Sequence, residues 1–159
     1  MSVSVEEYLG DSGKPYREYV DGILIPKSYP TTLHALVQYE LVSMLRRQGV
    51  EALAEVTVRL AATKFLIPDV IAAPVLQGPY PTEPVLLCAE ILSPGDRLGV
   101  LFAKCERYHE WGVPFCWLIE PEKQTAWHYP ANRDPQRANS FLLAGELKVS
   151  LKELFRGCS

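Results

Sequence analysis

Val85-Leu86-Leu87-Cys88-Ala89-Glu90-Ile91-Leu92 is a nearly continuous apolar run with one charge inside it, and Phe115-Cys116-Trp117-Leu118-Ile119 is a second such run further on. Apolar runs this short suit strands that are covered on both faces. Between them Ser93-Pro94-Gly95 reads as a turn. Asp96 stands where it would cap a helix of about residues 97–111, and Gly112-Val113-Pro114 stops that helix. Strand, helix and strand in this order predict two parallel central strands joined by a right-handed crossover.

Working outward, Ser4 to Leu9 predicts a short helix, with Ser4 as N-cap and Glu7 three residues on. Gly10–Pro15 reads as a loop. Asp21-Gly22, flanked by Tyr16–Val20 and Ile23–Pro26, is a hairpin signal. Thr31 or Thr32 caps a helix running to about Gln48, closed by Gly49. At 100° per residue, Leu33, Leu36, Val37, Leu41, Met44 and Leu45 share one apolar face, into which His34 and Glu40 intrude. Val50–Leu60 reads as extended, Phe65–Val75 as extended with a break at Pro68, and Gln77–Pro84 as a Pro-rich loop. Thr125–Tyr129, Ser140–Leu143 and Lys148 onward predict later strands, the last running into a terminal helical turn, with Ala131–Asn139 a polar loop. The expected fold is α/β, a mixed central β-sheet flanked by helices. With 159 residues it forms one domain over 1–159.

Composition narrows the class. Apolar residues make up 48% and charged residues 22%, which is globular rather than disordered. No apolar run is long enough to span a bilayer. The N-terminal segment has no basic region leading into an apolar stretch, so no signal peptide is expected. Cys88, Cys105, Cys116 and Cys158 fit neither a zinc ribbon nor a redox pair, and read as reduced thiols of a cytoplasmic protein. The net charge of −3 argues against holding nucleic acid by bulk charge. Its distribution is uneven: −5 over residues 1–96 and +2 over residues 97–159.

The informative positions are charges where the pattern wants apolar residues. Asp69 follows Pro68 directly and opens Val70-Ile71-Ala72-Ala73, and Glu90 lies inside the first quoted run. An unpaired buried carboxylate costs several kcal/mol, so such groups pair, hydrogen-bond or bind a metal. Two carboxylates on neighbouring strands suit one hard divalent cation such as Mg²⁺, with Mn²⁺ as a substitute. Each alone is equally a strand-end residue meeting a backbone N–H or an arginine. Lys104 falls at the edge of the apolar face of the 97–111 helix. There it either snorkels its stem or reaches over the C-terminal end of the Glu90 strand, where ligands of open α/β sheets gather. Glu18 is a fourth candidate, in the first hairpin strand, where a glutamate ordinarily faces solvent. Other signals are incomplete. His109-Glu110 lacks the second histidine of a zinc-protease motif, Ser93 is in no nucleophile elbow, and there is no glycine-rich phosphate loop.

Glu18, Pro68-Asp69, Glu90 and Lys104 together resemble the PD-(D/E)XK nuclease arrangement. More narrowly, the chain resembles the Uma-two-type endonucleases over about residues 5–130. The carriers are Arg17-Glu18-Tyr19-Val20-Asp21-Gly22, then Pro30 with His34, Pro68-Asp69-Val70 and Glu90-Ile91-Leu92-Ser93-Pro94. Lys104 with Tyr108 and Gly112-Val113-Pro114-Phe115-Cys116-Trp117-Leu118-Ile119-Glu120-Pro121 complete the ordered set. The resemblance implies a restriction-endonuclease-like fold and a metal-dependent phosphodiesterase acting on DNA. By carry-over Asp69 and Glu90 bind Mg²⁺, Glu18 is an accessory acidic ligand and Lys104 meets the phosphate or the attacking water. His34 belongs to the family pattern without an assigned role. The superfamily's usual lysine, two residues after the second acid, is here Leu92. Val100 and Glu120-Pro121 are lesser departures. Two alternatives stay open: a non-catalytic nuclease-fold binding or interaction module, and a hydrolase of a small phosphoester. A homodimer is a candidate assembly, since many proteins of this fold work in pairs.

Overall fold

The computed structural model describes residues 2–11, 13 and 16–158. The expected Gly10–Pro15 loop lies partly outside them. Ser4 caps α1 (Val5–Leu9) by accepting the Glu7 N–H. The hairpin β1 (Arg17–Val20) and β2 (Ile23–Pro26) turns at Asp21 and Gly22, whose φ values of 49° and 91° are the pair a tight two-residue turn requires. Thr31 caps α2 (Thr32–Arg46) by accepting the His34 N–H. Val37, Leu41, Met44 and Leu45 are buried as the periodicity predicts. Leu36 is not: it is 44% exposed, and His34 is buried instead.

The extended segment 50–60 is two strands, not one. β3 (Glu51–Ala54) and β4 (Val58–Ala61) belong to different sheets, and the chain breaks between them at Glu55, φ 58°. β5 (Lys64–Leu66) and β6 (Val70–Ala73) repeat that switch across Ile67–Asp69. β7 (Leu87–Ile91), α3 (Leu98–Trp111) and β8 (Phe115–Glu120) form the unit read from the opening stretch, and β7 and β8 pair in parallel. β9 (Thr125–Pro130) and β10 (Gln136–Arg137) follow, the second inside the expected polar loop. β11 (Phe141–Ala144) and β12 (Leu147–Ser150) form a hairpin leading into α4 (Leu151–Leu154).

The central sheet has the order β10-β9-β8-β7-β6-β3, mixed because only β7–β8 is parallel. A second sheet, β2-β1-β5-β4, is antiparallel. Strand alternation splits the core. Leu87, Ala89, Ile91, Trp117 and Ile119 pack with Leu41 and Leu45 of α2. Cys88, Cys116 and Leu118 pack with Cys105 and Tyr108 of α3. The period of two puts Glu90 on the same face as Cys88, toward α3. Asp96 does not cap α3. Arg97 is the N-cap residue and supplies no side-chain bond, while Asp96 accepts from the Ser93 N–H and the Ser28 hydroxyl.

Gly112 ends α3 at φ 120°, and a Cβ there would lie 2.9 Å from Pro84 Cγ. Both the backbone region and the space exclude a side chain. Gly112→Ala is therefore expected to cost about 1–3 kcal/mol, read as a lower urea midpoint with an unchanged slope.

Candidate active site

Chain switching between the two sheets builds the site. The ladder of β6 with β7 begins where β6 does: Val70 pairs with Ala89, so Asp69, just before β6, falls beside Glu90. The Ile91 N–H then has no strand partner, and Asp69 Oδ2 accepts it at 2.7 Å. Glu90 Oε2 accepts the Asp69 N–H at 3.3 Å in return. The two carboxylates are thus locked side by side, 4% and 2% exposed.

Glu18 comes from the other sheet. It is buried rather than solvent-facing, and its Oε2 accepts the Ile67 N–H at 2.6 Å, closing the joint just before Pro68. Lys104 reaches in from α3. Its Nζ lies 2.6 Å from Glu18 Oε2 and 2.7 Å from Glu90 Oε1. The ammonium therefore does not snorkel; it bridges two buried carboxylates. Tyr108, one turn on, donates its hydroxyl to Glu90 Oε2 at 3.3 Å. His34 Nε2 is 3.4 Å from Asp69 Oδ2. Glu18, His34, Asp69, Glu90 and Lys104 all line one pocket of about 160 Å³. A larger cavity of about 640 Å³ along Gln77–Val85 holds a single carboxylate, Glu83, and no cation, so it has no comparable chemistry.

Three polar residues complete the site without being legible as members of it. Lys27 Nζ is 2.9 Å from Asp69 Oδ1, 2.6 Å from the Ile67 carbonyl and 3.3 Å from Glu55 Oε2. Gln38 Nε2 donates to the Asp69 carbonyl at 2.8 Å and to Glu55 Oε1 at 3.0 Å. Lys27 sits in a loop that reads as solvated, and Gln38 is an ordinary polar position of a helix. The one local hint is the break at Glu55, visible only in the backbone.

The electrostatics follow from this packing. Burial alone would raise the Asp69 carboxyl. The Lys27 ammonium, the His34 contact and the Ile91 N–H outweigh it and hold the group well below the usual carboxylate range. Glu90 goes the other way. Burial is the largest influence, and with the charges of Asp69 and Glu18 it prevails over Lys104 and Lys27, pushing the carboxyl up to about 7. For Lys104 burial opposes the charge, but Glu90, Glu18 and Asp69 hold the proton on more firmly than in water.

A model of the Uma2 family, described as "Putative restriction endonuclease", matches residues 5–159. The chain belongs to the Uma2 family. The match takes in every residue of the pocket. No curated protein matches the chain. The crystal structure described as a putative nuclease belonging to DUF820, from Anabaena variabilis ATCC 29413, superposes with a TM-score of 0.83 over 99% of each chain, at 21% identity. That likeness shows the fold of this Uma2 member: a mixed sheet with flanking helices, as the opening stretch predicts.

The donor set of this Uma2 chain fits a hard cation that keeps much of its water. Asp69 and Glu90 are adjacent buried carboxylates, and carboxylate oxygens are the ligands a hard cation takes. Among the described residues no three Asp, Glu, His or Cys side chains are grouped to hold a metal by themselves. Water or phosphate oxygens would have to supply the remaining ligands.

Proposed function

We propose that the chain is a PD-(D/E)XK-type endonuclease that hydrolyses DNA phosphodiester bonds with Mg²⁺ or Mn²⁺. One observation carries this reading. Asp69 before β6, Glu90 on β7 and Lys104 on α3 meet in a single pocket of a protein whose family is described as a restriction endonuclease. Asp69 and Glu90 would hold the metal, which supplies Lewis-acid activation of a phosphoryl oxygen and of a water. The chain's own groups do the rest. The Lys104 ammonium, fixed between Glu18 and Glu90, offsets negative charge that builds on the phosphate in the transition state. His34 and the Ile91 N–H fix the Asp69 carboxylate in orientation. Leu92, at the usual lysine position of the superfamily, packs into the apolar layer on the α3 face, so Lys104 takes over that role from the helix. Glu18 serves as the acidic accessory that holds Lys104.

A second reading has its own support. Both site lysines already neutralise the carboxylates, and no ready three-ligand metal cluster stands among the described residues. That arrangement suits a nuclease fold kept as a binding module. Calorimetric titration with Mn²⁺ together with a plasmid-nicking assay separates the two. The nuclease reading expects saturable binding at one site and metal-dependent nicking. No heat at tens of millimolar Mn²⁺ and no nicking would overturn it.

Four unpaired cysteines support action in a reducing cytoplasm. No helix among the described residues is long and apolar enough to cross a membrane. The net charge of −3 leaves a single chain little electrostatic grip on a duplex, and 159 residues offer little surface to hold one, so the acting form we propose is a homodimer. Sedimentation equilibrium should then give twice the chain mass, and DNA retention should fall steeply as salt rises from low to physiological strength.

A further inference from the structure

Lys27 is the ammonium lining the pocket that the proposed reaction leaves without a task. Its side chain is 14% exposed, and its ammonium has three acceptors: Asp69 Oδ1, the Ile67 carbonyl and Glu55 Oε2. Three donors and three acceptors leave it fully satisfied. The acceptors differ in what else they do. Asp69 Oδ2 is committed to the Ile91 N–H and faces His34, so Oδ1 is the Asp69 oxygen left for a cation, and Lys27 holds it. Glu55 lies at the rim of the same group, its side chain 32% exposed, its other oxygen taken by Gln38. Gln38 also binds the Asp69 carbonyl, so Lys27, Asp69, Gln38 and Glu55 form a closed ring. When Asp69 Oδ1 gains another partner, Lys27 keeps the Ile67 carbonyl and Glu55.

We infer that Lys27 is a resident counter-ion of Asp69: it positions the carboxylate while no metal is bound, and it competes with an incoming divalent cation for Oδ1, with Glu55 as its alternative partner. The inference rests on the metal-site reading above. It sets Lys27 apart from Lys104. Lys104 is paired to Glu18 and Glu90, and its charge remains useful once phosphate is bound. Lys27 opposes the metal through like-charge repulsion at close range, where the interaction is largely unscreened.

The experiment is calorimetric titration of Mn²⁺ into the parent, Lys27→Met and Lys27→Arg proteins, with melting temperatures measured with and without Mn²⁺. Lys27→Met is expected to bind Mn²⁺ at least about tenfold tighter than the parent, and its melting temperature should rise more on adding the ion. Lys27→Arg, which keeps the charge, should bind like the parent. Lys27→Gln, which can still donate to the Ile67 carbonyl, carries the same expectation as Lys27→Met and replaces it if that variant does not fold. Binding in the parent with equal or weaker affinity in the neutral variants overturns the inference and leaves the metal site standing. Silence in the parent with binding in Lys27→Met or Lys27→Gln supports the inference, and the nicking assay then decides the nuclease reading. Silence in all of them overturns both.

Discussion

Lys104→Met is expected to lose about 3–5 kcal/mol of stability, the range for breaking a buried ion pair from one side. The ammonium lies 2.6 and 2.7 Å from two carboxylates that are themselves 6% and 2% exposed. Methionine matches the stem and removes the charge. Glu18 then keeps the Ile67 N–H, and Glu90 keeps Tyr108 and the Asp69 N–H, but neither retains a cation in contact. If the loss comes from stranded carboxylates, removing one of them relieves it. Adding Glu90→Gln to Lys104→Met should restore at least half of the lost stability. Urea unfolding of the parent, both single variants and the double variant gives the coupling directly. A Lys104→Met protein within about 1 kcal/mol of the parent would mean that solvent, rather than Lys104, compensates Glu18 and Glu90.

This bridge also shows where the sequence stops being readable. Glu90 and Asp69 stand out because a charge inside an apolar run is costly wherever the run is buried, whatever the rest of the fold. The β7–α3–β8 unit stands out because period, turn and helix stop lie within one local stretch. What joins Lys104 to Glu18 is neither local nor periodic. It depends on the chain leaving one sheet for the other at Ile67–Asp69 and again at Glu55. Val50–Leu60 reads as one extended segment because nothing in Glu55 announces a positive φ, as a glycine or asparagine would. Lys27 and Gln38 are hidden for the same reason: their partners come from both sides of that switch. Leu36 and His34 show the complementary failure. Periodicity assigns a buried face to a helix but cannot say how far the sheet beneath it extends. Leu36 stays 44% exposed, whereas Asp69 gives His34 a reason to turn inward.

Glu90→Gln is expected to lose metal-dependent DNA cleavage by about a thousandfold or more while the protein keeps its fold. If Glu90 holds the proposed metal, the two effects separate, because the cation needs the charged carboxylate whereas the surrounding protein does not. Burial and the neighbouring carboxylates push its carboxyl up to about 7, so the neutral form is well tolerated there. Glutamine keeps the shape, still accepts from Lys104, and can donate to the Tyr108 hydroxyl, but it gives up the Asp69 N–H that Glu90 Oε2 accepted. Stability should therefore fall by about 1–3 kcal/mol, the cost of one buried donor left unpaired. Loss of an oxygen that would bind the proposed metal would remove an interaction that strengthens in the transition state, and a thousandfold in rate corresponds to about 4 kcal/mol. Asp69→Asn is a harsher change. One of its two side-chain groups becomes an amide donor, and both positions it could take already face donors, the Ile91 N–H and the Lys27 ammonium. It should lose cleavage to the same degree and stability as well. Single-turnover cleavage of a labelled duplex, run beside urea melts of both variants, reads the two quantities independently. A Glu90→Gln protein that cleaves like the parent would place the metal, and with it the reacting phosphate, away from this carboxylate.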